Sequence, residues 1–68
     1  MKRYTIMPDG GKWFDVNAET AEMAFAGSSC WFMPMQKVGV WEWETGNLSV
    51  FRKEVDKDGN LIQNRRLK

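Results

Sequence analysis

The chain has 68 residues, a formal net charge of +1, one cysteine and no histidine. That length holds one small domain, whose folding buries only about 60% of the surface of the extended chain. A single thiol excludes an internal disulfide, and without histidine a structural zinc has no ligand set. Cohesion must therefore come from the four Trp, four Phe, one Tyr and five Met, or from self-association that buries more of them.

The N-terminus shows no export signal or membrane-spanning run, since Lys2 and Arg3 lead straight into a mixed strand. With one reduced thiol the expected location is cytoplasmic, with no membrane partner. Residues 1–34 carry three basic and four acidic side chains, residues 35–68 seven and five. This excess falls well short of a dedicated nucleic-acid binder.

From Arg3 to Val16 two alternating runs flank Pro8-Asp9-Gly10, a turn in which proline presets φ and glycine accepts positive φ. A three-residue loop over Pro8–Gly10 places Tyr4 opposite Phe14 and Lys2 opposite Val16. Tyr4, Ile6, Phe14 and Val16 then share one apolar face, without Trp13. Residues 18–26 have high helix propensity, with Thr20 as N-cap or Asn17 as the alternative, and Glu22 in the first turn suits the dipole. Ala21, Ala24, Phe25, Ser28 and Phe32 form a narrow stripe able to lie close on a sheet. The helix ends near Gly27 or runs on to Phe32, and Pro34 stops it in either case.

Residues 37–56, KVGVWEWETGNLSVFRKEVD, alternate, turn at Gly46-Asn47 and alternate again, a strong hairpin pattern. A two-residue or four-residue loop puts Trp41, Trp43, Leu48, Val50 and Arg52 on one face. Val38, Val40, Phe51 and Val55 then take the other, with Glu42, Glu44 and Lys53. A three-residue loop would instead place Trp41 and Trp43 alongside Phe51. Both faces are apolar enough to be the inside, so pattern alone does not choose. Asp58-Gly59 fits a type I′ turn leading into a last short strand from Leu61 to about Asn64, with a frayed basic tail over residues 65–68.

Chemistry-bearing groups are few. Glu42 and Glu44 start roughly 7 Å apart on one strand face, a glycosidase-like separation. In a chain too small to enclose a sugar cleft they read as ordinary solvent-facing residues. Asp56–Asn60 alternates oxygen ligands but lacks the glycine and glutamate positions of a calcium loop, so it reads as a turn. Cys30 has no histidine to activate it and reads as core, and the serines lack a base for the same reason. No catalytic residue, metal site or cofactor follows, and the chain reads as a non-enzyme.

Aromatic residues interleaved with cations form the candidate binding set: Trp41, Trp43, Arg52, Lys53, Lys57, Arg65 and Arg66. Such sets hold single-stranded nucleic acid by stacking and backbone attraction, and equally make hot spots of protein interfaces. The competing reading is that both indoles are the core itself. Alternation places Arg52 and Lys53 on opposite faces.

The run Phe14–Ala24, FDVNAETAEMA, followed by Ser29-Cys30-Trp31-Phe32 and a hairpin ending in Asp58-Gly59, resembles small phage and mobile-element proteins, including inhibitors of type I CRISPR systems. The resemblance covers about two thirds of the chain. The four tryptophans and the Met33-Pro34-Met35 connector depart from it, and no functional residue is carried over. It implies a compact inhibitor that docks on a host protein or nucleoprotein complex. The near-neutral charge does not match a simple DNA mimic.

The expected architecture is a single α+β domain spanning 1–68, an antiparallel sheet of about five strands in the order β-β-α-β-β-β with one helix packed on one face. The expected role is binding to a host complex as a phage or mobile-element accessory protein. The alternatives are a single-stranded nucleic-acid binder and a homo-oligomeric structural module, a homodimer being the simplest form.

Overall fold

The computed structural model describes residues 1–68. Strands β1 (Lys2–Pro8) and β2 (Phe14–Ala18) precede helix α1 (Ala21–Ser28), which runs into a 3-10 turn over Ser29–Trp31. Strands β3 (Val38–Glu42), β4 (Leu48–Val55) and β5 (Leu61–Arg66) follow. The strands form one antiparallel sheet in the order β2-β1-β3-β4-β5, with α1 packed on one face over β1, β2 and β3. The α+β class and the element order expected from the sequence are borne out.

Each local element has a visible cause. Thr20, in extended conformation, caps α1 by accepting from the Met23 amide at 3.1 Å. Ala24, Phe25, Ser28 and Phe32 of the expected stripe are buried and Ala21 is half-buried. Ser28 donates back to the Ala24 carbonyl at 3.0 Å, which satisfies its hydroxyl inside the core. The α-helix therefore continues one residue past Gly27, and the 3-10 turn completes the descent to Phe32. Cys30 lies off the stripe formed by Phe25, Ser28 and Phe32 and is exposed rather than core.

A column of phenylalanines ties the layers together. Phe14 of β2 stacks on Phe32 at 6.3 Å, Phe32 on Phe25 of α1 at 5.4 Å, and Phe25 on Phe51 of β4 at 5.2 Å. Tyr4, Ile6, Val38 and Val40 close the core around them. Lys53 reaches across from β4 to donate to the Ser29 carbonyl at 2.9 Å, a cation at the C-terminal end of the helix.

The turns refine what the sequence suggested. In the first hairpin Tyr4 pairs with Val16, Ile6 with Phe14 and Lys2 with Ala18, two residues away from the expected register. Pro8 is not in the loop: it is buried at the end of β1 opposite Val38. The connection is Asp9–Trp13, in which the Gly11 amide donates to the Pro8 carbonyl at 3.2 Å and Gly10 has φ +77°. A shift of two preserves side-chain parity, so the face shared by Tyr4, Ile6, Phe14 and Val16 survives.

In the second hairpin the four-residue loop is Trp43-Glu44-Thr45-Gly46, and Asn47 belongs to the closing pair. The Gly46 amide donates to the Glu42 carbonyl at 2.8 Å with φ +73°, while Glu42 accepts from Thr45 at 2.9 Å. Glu42 is consequently half-buried and structural, receiving the Tyr4 hydroxyl at 3.3 Å, whereas Glu44 is exposed as expected.

The Asp58-Gly59 turn is not type I′. Only Gly59 has positive φ, so Lys57-Asp58-Gly59 is a three-residue loop closed by a left-handed glycine. The Asp56 carboxylate fixes it by accepting from the Asp58 and Asn60 amides, both at 2.9 Å. Residues 65–68 do not fray. β5 runs to Arg66, and Leu67 donates to the Val50 carbonyl at 2.7 Å while the Val50 amide donates to Lys68 at 3.0 Å.

Candidate binding face

The helix covers one face of the sheet and leaves the other open, which resolves the rivalry between the two hairpin faces. Val38, Val40 and Phe51 are buried under the helix and Val55 is half-buried. Trp41, Trp43 and Leu48 are exposed on the open side with half-buried Val50, so the tryptophans are not the core. The physical reason is α1 itself. A narrow stripe of alanines and one phenylalanine lies close to β-branched residues, whereas indoles would hold the helix off the sheet.

Register builds this face row by row. Arg3 lies beside Trp43, whose amide donates to the Arg3 carbonyl at 3.0 Å. Asp15, Thr5, Trp41 and Leu48 form the next row, followed by Met7, Gly39 and Val50. A Cβ on Gly39 would meet Met7 Cε at 3.2 Å and Leu48 Cδ1 at 3.5 Å, so glycine lets those two side chains close over the backbone. Arg52 pairs with Arg65, and Glu54 with Gln63, at the far end.

The indole half surrounds a groove of about 580 Å³ walled by Thr5, Met7, Trp13, Phe14, Asp15, Trp41 and Trp43. Trp13, Trp41 and Trp43 are 68%, 38% and 53% exposed. Trp43 is fixed from two sides. Its Nε1 donates to the Thr5 hydroxyl at 2.8 Å, and the Arg3 guanidinium lies 4.6 Å from the ring centroid. Thr5 donates onward to Asp15 at 2.7 Å, and Arg3 donates to the other Asp15 oxygen at 2.6 Å. These bonds, from Arg3 and then Thr5, hold the Asp15 carboxyl below its ordinary value.

The charged half is similarly self-contained. Glu54 accepts from Arg65 at 2.9 Å, Gln63 at 2.8 Å and Arg52 at 2.9 Å, which lowers its pKa. Each arginine of the face thus has a carboxylate beside it.

Of the residues singled out from the sequence, Trp41, Trp43, Arg52 and Arg65 meet on this face. Lys53 and Arg66 point to the helix side. Arg66 bridges layers by donating to Glu22 at 2.8 Å and to Ser49 at 2.9 Å, with its guanidinium over Phe51. Lys57 lies in the last turn, away from both groups. The sequence reading missed Arg3, Thr5, Met7, Trp13 and Asp15. Trp13 was legible, because alternation that turns half-buried Phe14 and Val16 toward the helix must turn Trp13 and Asp15 to the other face together.

No group of three or more metal-binding side chains gathers in the molecule, and no helix is long and apolar enough to cross a membrane. Comparison with protein-family models, curated proteins and solved structures finds no match to this chain.

Proposed function

We propose that the chain is a non-enzymatic binding module whose working surface is the open face of the sheet and whose partner is a protein. The observation that carries this reading is three exposed indoles around one groove, on a face whose arginines are already paired. A Trp-rich centre whose nearest cation, Arg3, is already paired with Asp15 suits an interface whose energy comes from desolvating aromatic anchors. Following the resemblance of the strand-to-helix junction to phage inhibitors, a host nucleoprotein complex is the partner class to test first.

Nucleic-acid binding is the second reading, favoured by one observation. Arg52 and Arg65 share the single carboxylate of Glu54, leaving that half of the face with an unbalanced positive charge. Stacking platforms beside such charge hold single strands. It ranks second because Arg3, the cation nearest the indoles, is committed to Asp15.

Affinity capture from the native cell with the wild type, Trp41→Ala/Trp43→Ala and Arg52→Ala tests the first reading. A protein retained by the wild type and lost with the tryptophan pair supports it, and equal retention by all variants counts against it. Oligonucleotide that quenches tryptophan emission, with an affinity falling steeply as salt rises, would move the assignment to nucleic acid.

A further inference from the structure

The sheet has two free edges, and they are defended differently. β5 carries Arg65 and Arg66 and pairs with β4 through an irregular register at Glu54/Val55. Basic side chains and bulges are common devices that discourage an edge from taking another strand. β2, with the sequence FDVNA, has no basic residue, no proline and a regular register, and its one charge is engaged by Arg3.

Amide directions on β2 follow from the ladder. The Arg3 carbonyl accepts from Trp43, so Arg3 and Thr5 turn their backbone groups toward β3, while Lys2, Tyr4 and Ile6 turn theirs toward β2. Phe14, Val16 and Ala18 therefore face β1. Asp15 and Asn17 present N–H and C=O outward.

We propose that a second copy of the chain pairs with the first along β2, antiparallel about a two-fold axis through Val16. This register places Asp15 opposite Asn17 of the partner subunit, and Asn17 opposite the partner's Asp15. Both are outward-facing residues, so each pair exchanges two backbone hydrogen bonds. No carboxylate meets a carboxylate. An axis through Asp15 would oppose two carboxylates, and one through Asn17 would set Asp15 against Glu19 of the partner subunit. Charge and amide direction together select Val16.

The helix-side surfaces match under the same operation. Trp31, 76% exposed, stands at the Phe14 end of β2, where it walls a groove with Phe14, Val16, Gly27 and Ser28. At the Ala18 end lies a groove of about 250 Å³ between β2 and α1, walled by Val16, Ala18, Met23, Ala24 and Gly27 among others. Gly27 leaves it open, since a Cβ there would meet nothing within 4 Å. Antiparallel pairing carries the Trp31 end of one copy to the open groove of the other, twice, as an isologous interface requires. Taking about 250 Å² for a whole tryptophan, the two Trp31 side chains bring on the order of 400 Å² of exposed surface to the contact. That is a sizeable share of the 1,200–2,000 Å² or so in a standard interface. The product is one ten-stranded sheet with both helices on the same side. The indole face proposed above stays free and is doubled, so the inference does not depend on that reading.

Sedimentation equilibrium on the full chain, from about 1 μM to about 1 mM, tests it with Asn17→Pro, Trp31→Ala and Trp43→Ala. Proline on an edge strand removes only an outward N–H and is tolerated there. The wild type should rise toward twice the chain mass, Trp43→Ala should follow it, and Asn17→Pro and Trp31→Ala should stay at one chain mass. A wild type that is monomeric throughout overturns the proposal. So does a dimer that persists in Asn17→Pro but dissociates in Trp43→Ala, which would place the contact on the open face. If Asn17→Pro does not fold, wild-type amide exchange decides instead. Asp15 and Asn17 amides should gain protection with protein concentration, and concentration-independent exchange at both overturns the inference.

Discussion

The indole of Trp43 and the hydroxyl of Thr5 meet at 2.8 Å across the open face, and through Thr5 the indole is linked to Asp15 and Arg3. An exposed tryptophan is thus held in one orientation by a closed circuit of polar contacts. Preorganised anchors of this kind lose less conformational freedom on binding.

Removing the hydroxyl should uncouple that circuit. Thr5→Val keeps the side-chain shape but leaves the Trp43 Nε1 and one Asp15 oxygen without their partner. Urea denaturation should show a loss of about 1 kcal/mol. Binding to a captured partner should weaken further than this stability change, and an unchanged affinity would separate Trp43 orientation from recognition.

The phenylalanine column should dominate stability. Phe25 stacks on both Phe32 and Phe51, so Phe25→Ala opens a cavity between the helix and the sheet. Losses of about 3–5 kcal/mol are usual for this change. In a domain whose core supplies a margin of similar size, circular dichroism should show a largely unfolded chain.

Helix initiation is a smaller, separable contribution. Thr20→Ala removes the oxygen that accepts from Met23 and should cost about 1 kcal/mol, read as a lowered melting temperature with the native spectrum retained. Thr20→Ser should recover most of it.

Acid should destabilise the protein through two carboxylates. Asp15 and Glu54 titrate below their ordinary values in the fold, so the unfolded chain binds protons first as pH falls. Their contribution is complete above the ordinary carboxylate range, about 3.9–4.3, and is lost as pH drops through the lower folded values. Melting temperature against pH should fall on the acid side, and less steeply in Asp15→Asn and Glu54→Gln. Tyr4 gives the opposite limb. Burial and then the charge of Glu42 raise its phenol, so stability present below the ordinary value of about 10 declines as pH rises toward the folded one.

One residue in the connector is strained. Met35 has φ +67° and donates to the Lys53 carbonyl at 2.8 Å, a left-handed conformation that costs a side-chain-bearing residue about 1–2 kcal/mol. Met35→Gly relieves this against the greater unfolded-state freedom of glycine. A net gain of about 0.5 kcal/mol or more in chemical denaturation is expected.

Local physics made most of the architecture readable in the sequence. Alternation marked the strands, Thr20 and the alanine-rich stripe marked the helix, and Gly10, Gly46 and Gly59 marked the turns. Each is a short-range preference encoded within a few residues. The first hairpin shows the limit of such reading: parity came out correctly, but the register moved by two because Pro8 is used by β3, a strand 30 residues further on. The last four residues likewise gain their order from Val50, Phe51 and Arg52 of β4, partners that local sequence does not display.

Local pattern thus specifies the elements, their order and the two competing faces of the 37–56 hairpin. Which of those faces is inside follows from packing against the helix. That choice depends on one helix being thin enough to lie on Val38, Val40 and Phe51, and it leaves Trp13, Trp41 and Trp43 together on the other side. Alternation specifies which side chains share a face. Only the packing of a distant element specifies which face loses its water.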